Sequence, residues 1–173
     1  MVTTMVVTGA TSGIDEHTAI TLASQGHRVV VTGRNAGRGE EGVARIRSNS
    51  GNEDVHLALA DMGDLTAVDA LAAELIERFE SIDVLVNNAG ILAHERATTE
   101  DGIEQDFAIN VVAPWRLTTQ LSPALQAAAP ARVVNLTGGS PRDEANQDRV
   151  MDEVERAREV QRLAAERRAG RES

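Results

Sequence analysis

The fold is decided by residues 8–15, which run Thr8-Gly9-Ala10-Thr11-Ser12-Gly13-Ile14-Asp15. The apolar run before them, Met5-Val6-Val7, predicts a buried strand, and the periodic apolar residues that begin at Ile14 predict a helix. A glycine-rich turn between a strand and a helix points free backbone N–H groups toward a bound phosphate. We name residues 8–15 the glycine turn. Its spacing indicates a phosphate-binding loop, although an ordinary tight strand-to-helix turn has the same spacing.

Composition narrows the class of protein. The chain has 173 residues, 42% of them hydrophobic, which suffices for one domain with a core. A net charge of -10 argues against a nucleic-acid partner, because phosphate backbones bind basic surfaces. The chain has no cysteine, and its four histidines fall in separate predicted elements. We therefore expect neither disulfides nor a metal site.

The sequence also bears on localisation. The first predicted strand begins almost at Met1, which leaves no room for a signal peptide. No apolar run approaches the length of a transmembrane helix. From these observations we expect a soluble, cytoplasmic protein without a membrane partner.

Predicted strands and helices alternate along the first 140 residues. Apolar runs predict four strands after the first, at residues 29–32, 55–59, 82–86 and 132–137. Periodic apolar residues predict the intervening helices at about residues 38–48, 65–79 and 100–126, the last of them interrupted by Pro114. This alternation predicts a parallel sheet with helices on both faces and right-handed crossovers.

Four motifs at predicted strand ends resemble those of the short-chain dehydrogenase/reductases over roughly residues 1–140. They are Thr8-Gly9-x-x-x-Gly13, Asp61 after the third strand, Asn87-Asn88-Ala89-Gly90 after the fourth, and Asn110-Val111-Val112-Ala113-Pro114. The segment from Thr99 to Asn110 is most similar to the retinol-dehydrogenase-like branch. The resemblance implies a Rossmann-like doubly wound sheet of about five strands in the order 3-2-1-4-5. It also implies hydride transfer between NAD(P)(H) and a carbonyl or an alcohol.

The resemblance implies a set of cofactor-binding residues as well. The glycine turn would wrap the pyrophosphate and the adenosine ribose, Asp61 would accept a hydrogen bond from the adenine amino group, and the loop after the fourth strand would line the ribose channel. The implied residues are Gly9, Thr11, Ser12, Gly13, Ile14, Asp61, Met62, Asn88, Ala89 and Gly90.

Arg34 bears on the choice of cofactor. It follows the second predicted strand, where NAD-preferring members of the resembled family carry an aspartate for the ribose diol. A guanidinium at this position can bind a 2′-phosphate through two charge-assisted hydrogen bonds. Arg34 therefore favours NADP(H) over NAD(H), and the alternative is a solvated loop cation.

Pro114 lies four residues after Asn110. Because proline has no N–H, a helix through both residues leaves the Asn110 carbonyl without its partner and is kinked there. In the resembled family an asparagine at this position holds a water of the proton relay through its backbone carbonyl. Asn110 is therefore a candidate catalytic residue, and a kink that serves packing alone is the alternative.

The catalytic pattern of the resembled family is broken after the fifth strand. The chain has no tyrosine and no lysine, so the Tyr-x-x-x-Lys motif is missing, and Ala145 and Arg149 align with its two ends. The expected serine pair is replaced by Thr137-Gly138, which leaves Ser140, two residues later, as the candidate. These substitutions predict impaired catalysis.

Asp15 occupies the third glycine position of the glycine turn. A carboxylate there suits the helix macrodipole but repels a pyrophosphate, by roughly 3 kcal/mol per charge pair at about 5 Å and an effective dielectric of about 20. We therefore predict weak cofactor binding, or a turn that is filled by its own side chain.

The prediction for the chain as a whole is a Rossmann domain over residues 1–140 and a charged helix within residues 141–173, from about 144 to 168. This helix either belongs to the same domain or forms a tail. Three functions stay open: an impaired NADP(H)-dependent oxidoreductase, a non-catalytic dinucleotide-binding or scaffold protein, and an inactive fragment. The edge position of the fifth strand also predicts a homo-oligomer.

Overall fold

The computed structural model describes residues 2–11 and 14–137, which form five strands and the helices between them. In chain order the elements are β1 Thr4–Val7, α1 Ile14–Ser24, β2 Arg28–Gly33, α2 Ala36–Ser50, β3 Val55–Leu59, α3 Leu65–Arg78, β4 Val84–Asn87, α4 Gln105–Phe107, a π-helix Ala108–Val112, α5 Ala113–Gln120, α6 Ser122–Ala127 and β5 Arg132–Asn135. No helix in this part of the chain is long and apolar enough to cross a membrane. The predicted helix at 144–168 and the aligned pair Ala145 and Arg149 lie outside the described residues.

The sheet confirms the predicted architecture. All five strands are parallel and lie in the order β3-β2-β1-β4-β5. The chain extends the sheet in one direction from β1 to β3 and then in the other direction through β4 and β5. Ligands of such sheets bind where this direction reverses, beyond the C-terminal ends of the central strands. Here that crevice lies between β1 and β4.

Helices cover the two faces of the sheet, and each face has its own apolar core. Val30 of β2 packs with Leu71 of α3 and Leu117 of α5 on one face. Val29 and Val31 of the same strand pack with the other core, which includes residues of α1 and α2. Neighbouring side chains of a strand point to opposite faces, so a continuous valine run serves a sheet that is buried on both sides.

The helix predicted over residues 100–126 has different bounds in the structure. Residues 100–104 form a turn closed by a bridge between Thr98 and Glu104, and helical structure begins only at Gln105. The helix becomes a π-helix over Ala108–Val112, just before Pro114, and a second break falls at Leu121. Pro114 lies in the first turn of α5, where its missing N–H is tolerated.

Strand β5 lies at the edge of the sheet, and no other strand of the described chain pairs with its outer side. Its four residues are exposed, with Val133 at 39% and Val134 at 42%. An exposed apolar edge strand favours pairing with a second chain. We therefore expect the protein to self-associate, so that sedimentation at micromolar concentration detects dimers or larger species.

The variant Val134→Arg tests whether β5 mediates this association, because a charge on an edge strand opposes pairing. Ile76→Arg is the matched control, since Ile76 on α3 is also 42% exposed. We expect Val134→Arg to shift the protein toward monomer and Ile76→Arg to leave it associated. Sedimentation of the unmodified protein only as a compact monomer would contradict the prediction.

Candidate functional site

A cavity of about 380 Å³ opens at the C-terminal ends of the strands, and we call it the strand-end cavity. Its walls come from the glycine turn, the β2–α2 junction, the turn after β3 and the loop after β4. The cofactor residues predicted from the sequence that line it are Gly9, Thr11, Arg34, Asp61, Met62, Ala89 and Gly90. Ser12, Gly13 and the candidate Ser140 lie outside the described residues, as does the side chain of Ile14.

Thr8 and Asn88 join the glycine turn to the loop after β4. The Thr8 hydroxyl oxygen accepts hydrogen bonds from the backbone N–H groups of Asn88 at 3.0 Å and Ala89 at 2.9 Å. The Asn88 side chain donates to the Thr8 carbonyl at 2.8 Å. Asn88 thus holds the two sides of the crevice together and does not itself line the cavity.

Gly9 permits the close approach of these two segments. Its φ is +76°, and a Cβ at this position would lie 3.0 Å from the Ala89 Cα atom. A side chain there would therefore be strained in its backbone and would press on the loop after β4. The first glycine of the motif is required by this geometry.

Asn110 fixes the loop after β4 through its side chain. The side-chain oxygen accepts from the Ile91 N–H at 2.9 Å, and the side-chain amide donates to the Ile91 carbonyl at 2.8 Å. Asp106, one turn earlier, accepts from the Ala93 N–H at 3.2 Å. Ile91 lines the strand-end cavity, so Asn110 shapes that wall.

The kink expected at Pro114 takes the form of the π-helix that contains Asn110. Within it the Ala113 N–H donates to the Ala108 carbonyl, five residues back instead of four. Because Pro114 cannot donate to the Asn110 carbonyl, the α-helical pattern is not available at this point. The sequence pointed to the backbone of Asn110, whereas the contact with Ile91 made by its side chain was not predicted.

Two arginines line the side of the cavity next to β2. Arg34 follows the strand, and Arg38 lies in the first turn of α2, where the Asn35 side chain accepts from the Arg38 N–H at 3.0 Å. Neither guanidinium forms an ion pair with a carboxylate of the described chain. Sequence reasoning identified Arg34 and missed Arg38. The sequence did offer a signal for Arg38: it follows the N-cap residue Asn35 by three positions, which places it in the first turn of the helix.

Asp61 also lines the cavity, in the turn after β3, the strand that pairs with β2. One oxygen of its carboxylate accepts from the Gly63 N–H at 2.8 Å, and its carbonyl accepts from the Asp64 N–H at 3.1 Å. Met62 beside it is only 7% exposed. The turn is therefore held by its own hydrogen bonds, with the Asp61 carboxylate at the cavity wall.

The first turn of α1 brings two carboxylates to the glycine turn. Glu16 pairs with Arg45, and this hydrogen bond holds the pKa of Glu16 below its usual value, although burial opposes the shift. Asp15 lines the cavity and has no hydrogen-bond or ion-pair partner in the described chain. Asp15, the last residue of the glycine turn, is therefore a negative charge without a partner among the described residues.

A polar cluster around the buried Asn87 lies at the ends of β4 and β5. The Asn87 side-chain amide donates to Asn135 Oδ1 at 2.8 Å and to Thr118 Oγ1 at 3.0 Å. Asn87 is 4% exposed, and its side-chain oxygen has no hydrogen-bond partner in the described chain. The cluster ties α5 to the two strands.

The parallel five-stranded sheet, with the glycine turn after β1 and an acidic turn after β3, defines a Rossmann-type α/β protein. The chain matches the short chain dehydrogenase family model over residues 3–146. It belongs to this family, in the retinol-dehydrogenase-like branch.

Three similar proteins illustrate the relationship. Human retinol dehydrogenase 13 is 37% identical over 134 residues, which cover 78% of this chain and 40% of that protein. A metagenomic short-chain oxidoreductase solved with NADP has a TM-score of 0.69 and 28% identity, over 82% of this chain and 64% of that one. A Sphingobium yanoikuyae short-chain dehydrogenase solved with NADPH has a TM-score of 0.60 and 32% identity, over 70% of this chain and 48% of that one. This chain therefore spans only part of the length of these relatives.

Proposed function

We propose that the chain binds NADP(H) in the strand-end cavity and belongs to an oxidoreductase that acts on a carbonyl or an alcohol, with strongly reduced activity. The observation that carries the proposal is the pair of arginines, Arg34 and Arg38, which line one wall and form no ion pair with a carboxylate among the described residues. Two neighbouring guanidiniums at the end of β2 suit a 2′-phosphate. The metagenomic and Sphingobium relatives, solved with NADP and NADPH, support the same cofactor.

The cavity fits the adenosine half of this cofactor. Asp61 would accept a hydrogen bond from the adenine amino group, and the backbone N–H of Met62 would lie beside it. The close approach of Gly9 to Ala89 leaves backbone rather than side chain at the floor of the crevice. Ala89 and Gly90 would line the ribose channel toward the nicotinamide.

The pyrophosphate position fits less well. Asp15 presents a carboxylate to the cavity where the family motif has a glycine. The negative charge competes with phosphate for the N–H groups at the start of α1. We infer weak rather than absent binding, because the arginines on the β2 side attract the 2′-phosphate.

Bound NADPH would supply the hydride for reduction of a carbonyl. The chain would have to hold the substrate and deliver a proton to its oxygen. Asn110 would act as a positioning residue, because it holds Ile91 at the cavity wall. The chain has no tyrosine or lysine to act as the family's proton donor, and its candidate hydroxyl group is Ser140. Catalysis is accordingly expected to be slow.

The missing tyrosine and lysine also favour a second function, a dinucleotide-binding protein without catalysis. Titration of the protein with NADPH, followed by fluorescence, and then assays with aldehydes and ketones separate the two. Binding with turnover supports the oxidoreductase, and binding alone supports the non-catalytic protein. Absence of binding contradicts both.

Arg34 provides a direct test of cofactor choice. The unmodified protein is expected to bind NADPH at least about tenfold more tightly than NADH, since charge-assisted hydrogen bonds to the 2′-phosphate are among the strong ones. Arg34→Asp should reverse the order, because a carboxylate repels the phosphate and accepts from the ribose diol. Fluorescence titrations with both cofactors measure the two affinities.

Arg132→Asp is the matched control for Arg34→Asp. Arg132 is an exposed arginine at the N-terminal end of β5, away from the strand-end cavity, and its replacement changes the net charge equally. We expect it to leave the preference intact. Equal affinities of the unmodified protein for NADPH and NADH would show that Arg34 does not reach the ribose phosphate.

A further inference from the structure

Arg45 of α2 binds the chain on both sides of residues 12 and 13. Its Nη2 donates to the Thr11 carbonyl at 3.2 Å and to Glu16 Oε2 at 2.8 Å. Its Nε donates to the two Glu16 oxygens at 3.0 and 3.2 Å. One guanidinium therefore connects the first half of the glycine turn with the first turn of α1.

Arg45 makes these contacts from outside the strand-end cavity. Thr11 lines the cavity, whereas Arg45 and Glu16 do not. Helix α2 comes close enough for this contact at Gly42, where a Cβ would lie 2.9 Å from the Thr11 carbonyl oxygen. Because Gly42 has no side chain, α2 can pack against the backbone of the glycine turn on the side away from the cavity.

Arg45 also changes the charge at the phosphate end of the cavity. The Glu16 side chain is 12% exposed, so an unpaired carboxylate there would be poorly solvated and close to the same N–H groups as Asp15. The ion pair at 2.8 Å compensates that charge. Asp15 then stays without an ion-pair partner among the described residues and opposes an anion near the start of α1.

We propose that Arg45 is a positioning residue for the pyrophosphate of the cofactor, acting through the Thr11 carbonyl. Thr11 lines the strand-end cavity, so a hydrogen bond that fixes its carbonyl also fixes the backbone that the pyrophosphate approaches. This inference rests on the proposed NADP(H) binding.

The variant Arg45→Met removes the donors and keeps the length of the side chain. We expect NADPH to bind about tenfold more weakly, and amide hydrogens of residues 8–16 to exchange faster in the protein without cofactor, because a charged hydrogen-bond donor is lost. Arg45→Lys tests the same contact if Arg45→Met does not fold, because an ammonium cannot match the guanidinium's bidentate geometry.

Arg47→Met is the matched control on the same helix. Arg47 donates to the Val55 carbonyl at 2.6 Å and lies 3.9 Å from Glu53, so its replacement removes similar contacts away from the glycine turn. We expect Arg47→Met to leave both NADPH affinity and exchange of residues 8–16 unchanged. Equal losses of affinity in Arg45→Met and Arg47→Met would overturn the proposal.

The charge-swapped double variant Glu16→Arg with Arg45→Glu separates positioning from stability. It can restore the ion pair, but a carboxylate at position 45 cannot donate to the Thr11 carbonyl. We expect the melting temperature to recover relative to Arg45→Glu alone while NADPH affinity stays low. Recovery of both would overturn the positioning role and leave a stabilising ion pair.

Amide exchange distinguishes failure of this inference from failure of the proposed function. If the unmodified protein does not bind NADPH, the proposed function is wrong, and exchange in residues 8–16 alone decides whether Arg45 holds the glycine turn. Faster exchange in Arg45→Met would support the contact, and unchanged exchange would overturn it.

Discussion

Purified protein supplied with NADPH is expected to reduce small aldehydes and ketones far more slowly than about 1 s⁻¹, the lower end of ordinary enzyme rates. General acid–base groups typically contribute about 10²–10⁴-fold each, and this chain has neither the tyrosine nor the lysine of the family motif. The loss is expected in kcat, because a proton donor acts in the transition state. Consumption of NADPH, followed by its absorbance, measures the rate.

Asn110→Ala controls for the origin of any residual rate. Asn110 holds Ile91 at the cavity wall by hydrogen bonds of 2.9 and 2.8 Å, so its loss should lower turnover that occurs in this cavity. A contaminating reductase would be insensitive to the substitution. A kcat of about 1 s⁻¹ or more that Asn110→Ala reduces would contradict the prediction and require a proton donor other than tyrosine.

Asp15→Gly is expected to tighten NADPH binding at least about tenfold, which corresponds to about 1.4 kcal/mol. The substitution removes a cavity-lining carboxylate that has no partner among the described residues, and it restores close approach of the backbone to the pyrophosphate. It should lower thermal stability at the same time. A favourable charge at the helix start, about 0.3–1 kcal/mol, is lost, and glycine adds a backbone cost of about 0.5–1 kcal/mol.

Two further substitutions separate charge from shape at this position. Asp15→Asn removes the charge and keeps the side-chain size, so most of the gain in affinity should persist if repulsion dominates. Asp15→Glu keeps the charge and should bind no better than the unmodified protein. The advantage of Asp15→Asn should also shrink at about 1 M salt, where the screening length falls to about 3 Å.

Affinity measurements on the Asp15 variants also test whether the cofactor pyrophosphate occupies the strand-end cavity beside residue 15. If Asp15→Gly lowers stability and leaves NADPH affinity unchanged, the phosphate position is not occupied by the cofactor. The chain would then share the fold of its family but not the use of the cofactor site. A non-catalytic or scaffold role would replace the proposed oxidoreductase.

Local pattern was enough to predict most of the sheet. Strand β3 has the predicted bounds, and β2 and β4 differ from prediction by one or two residues at each end. Continuous valine runs predict such strands because both of their faces are buried. The predicted order 3-2-1-4-5 is confirmed, but it came from the likeness to a family, since an isolated strand does not specify its neighbours.

Helix bounds between β4 and β5 could not be obtained in the same way. The start at Gln105 depends on the bridge between Thr98 and Glu104, and the π-helix coincides with the contact between Asn110 and Ile91. The apolar residues Ile103, Phe107 and Val111 are four residues apart across these boundaries. This spacing does not show where helical structure begins, nor does it distinguish an α-helical turn from a π-helical one.

The sequence by itself determined the parts of this protein that depend on residue type and short spacing: the glycine turn, the strands, the arginine after β2, the carboxylate at position 15 and the missing tyrosine and lysine. Tertiary structure decided which residues come into contact with one another and which line the cavity together. Arg38 joins Arg34 at the cavity, and Arg45 reaches Thr11, which lies 34 residues earlier in the chain. The physical reason is that hydrogen bonds and ion pairs act over a few ångströms in space, and only the folded sheet brings distant residues within that reach.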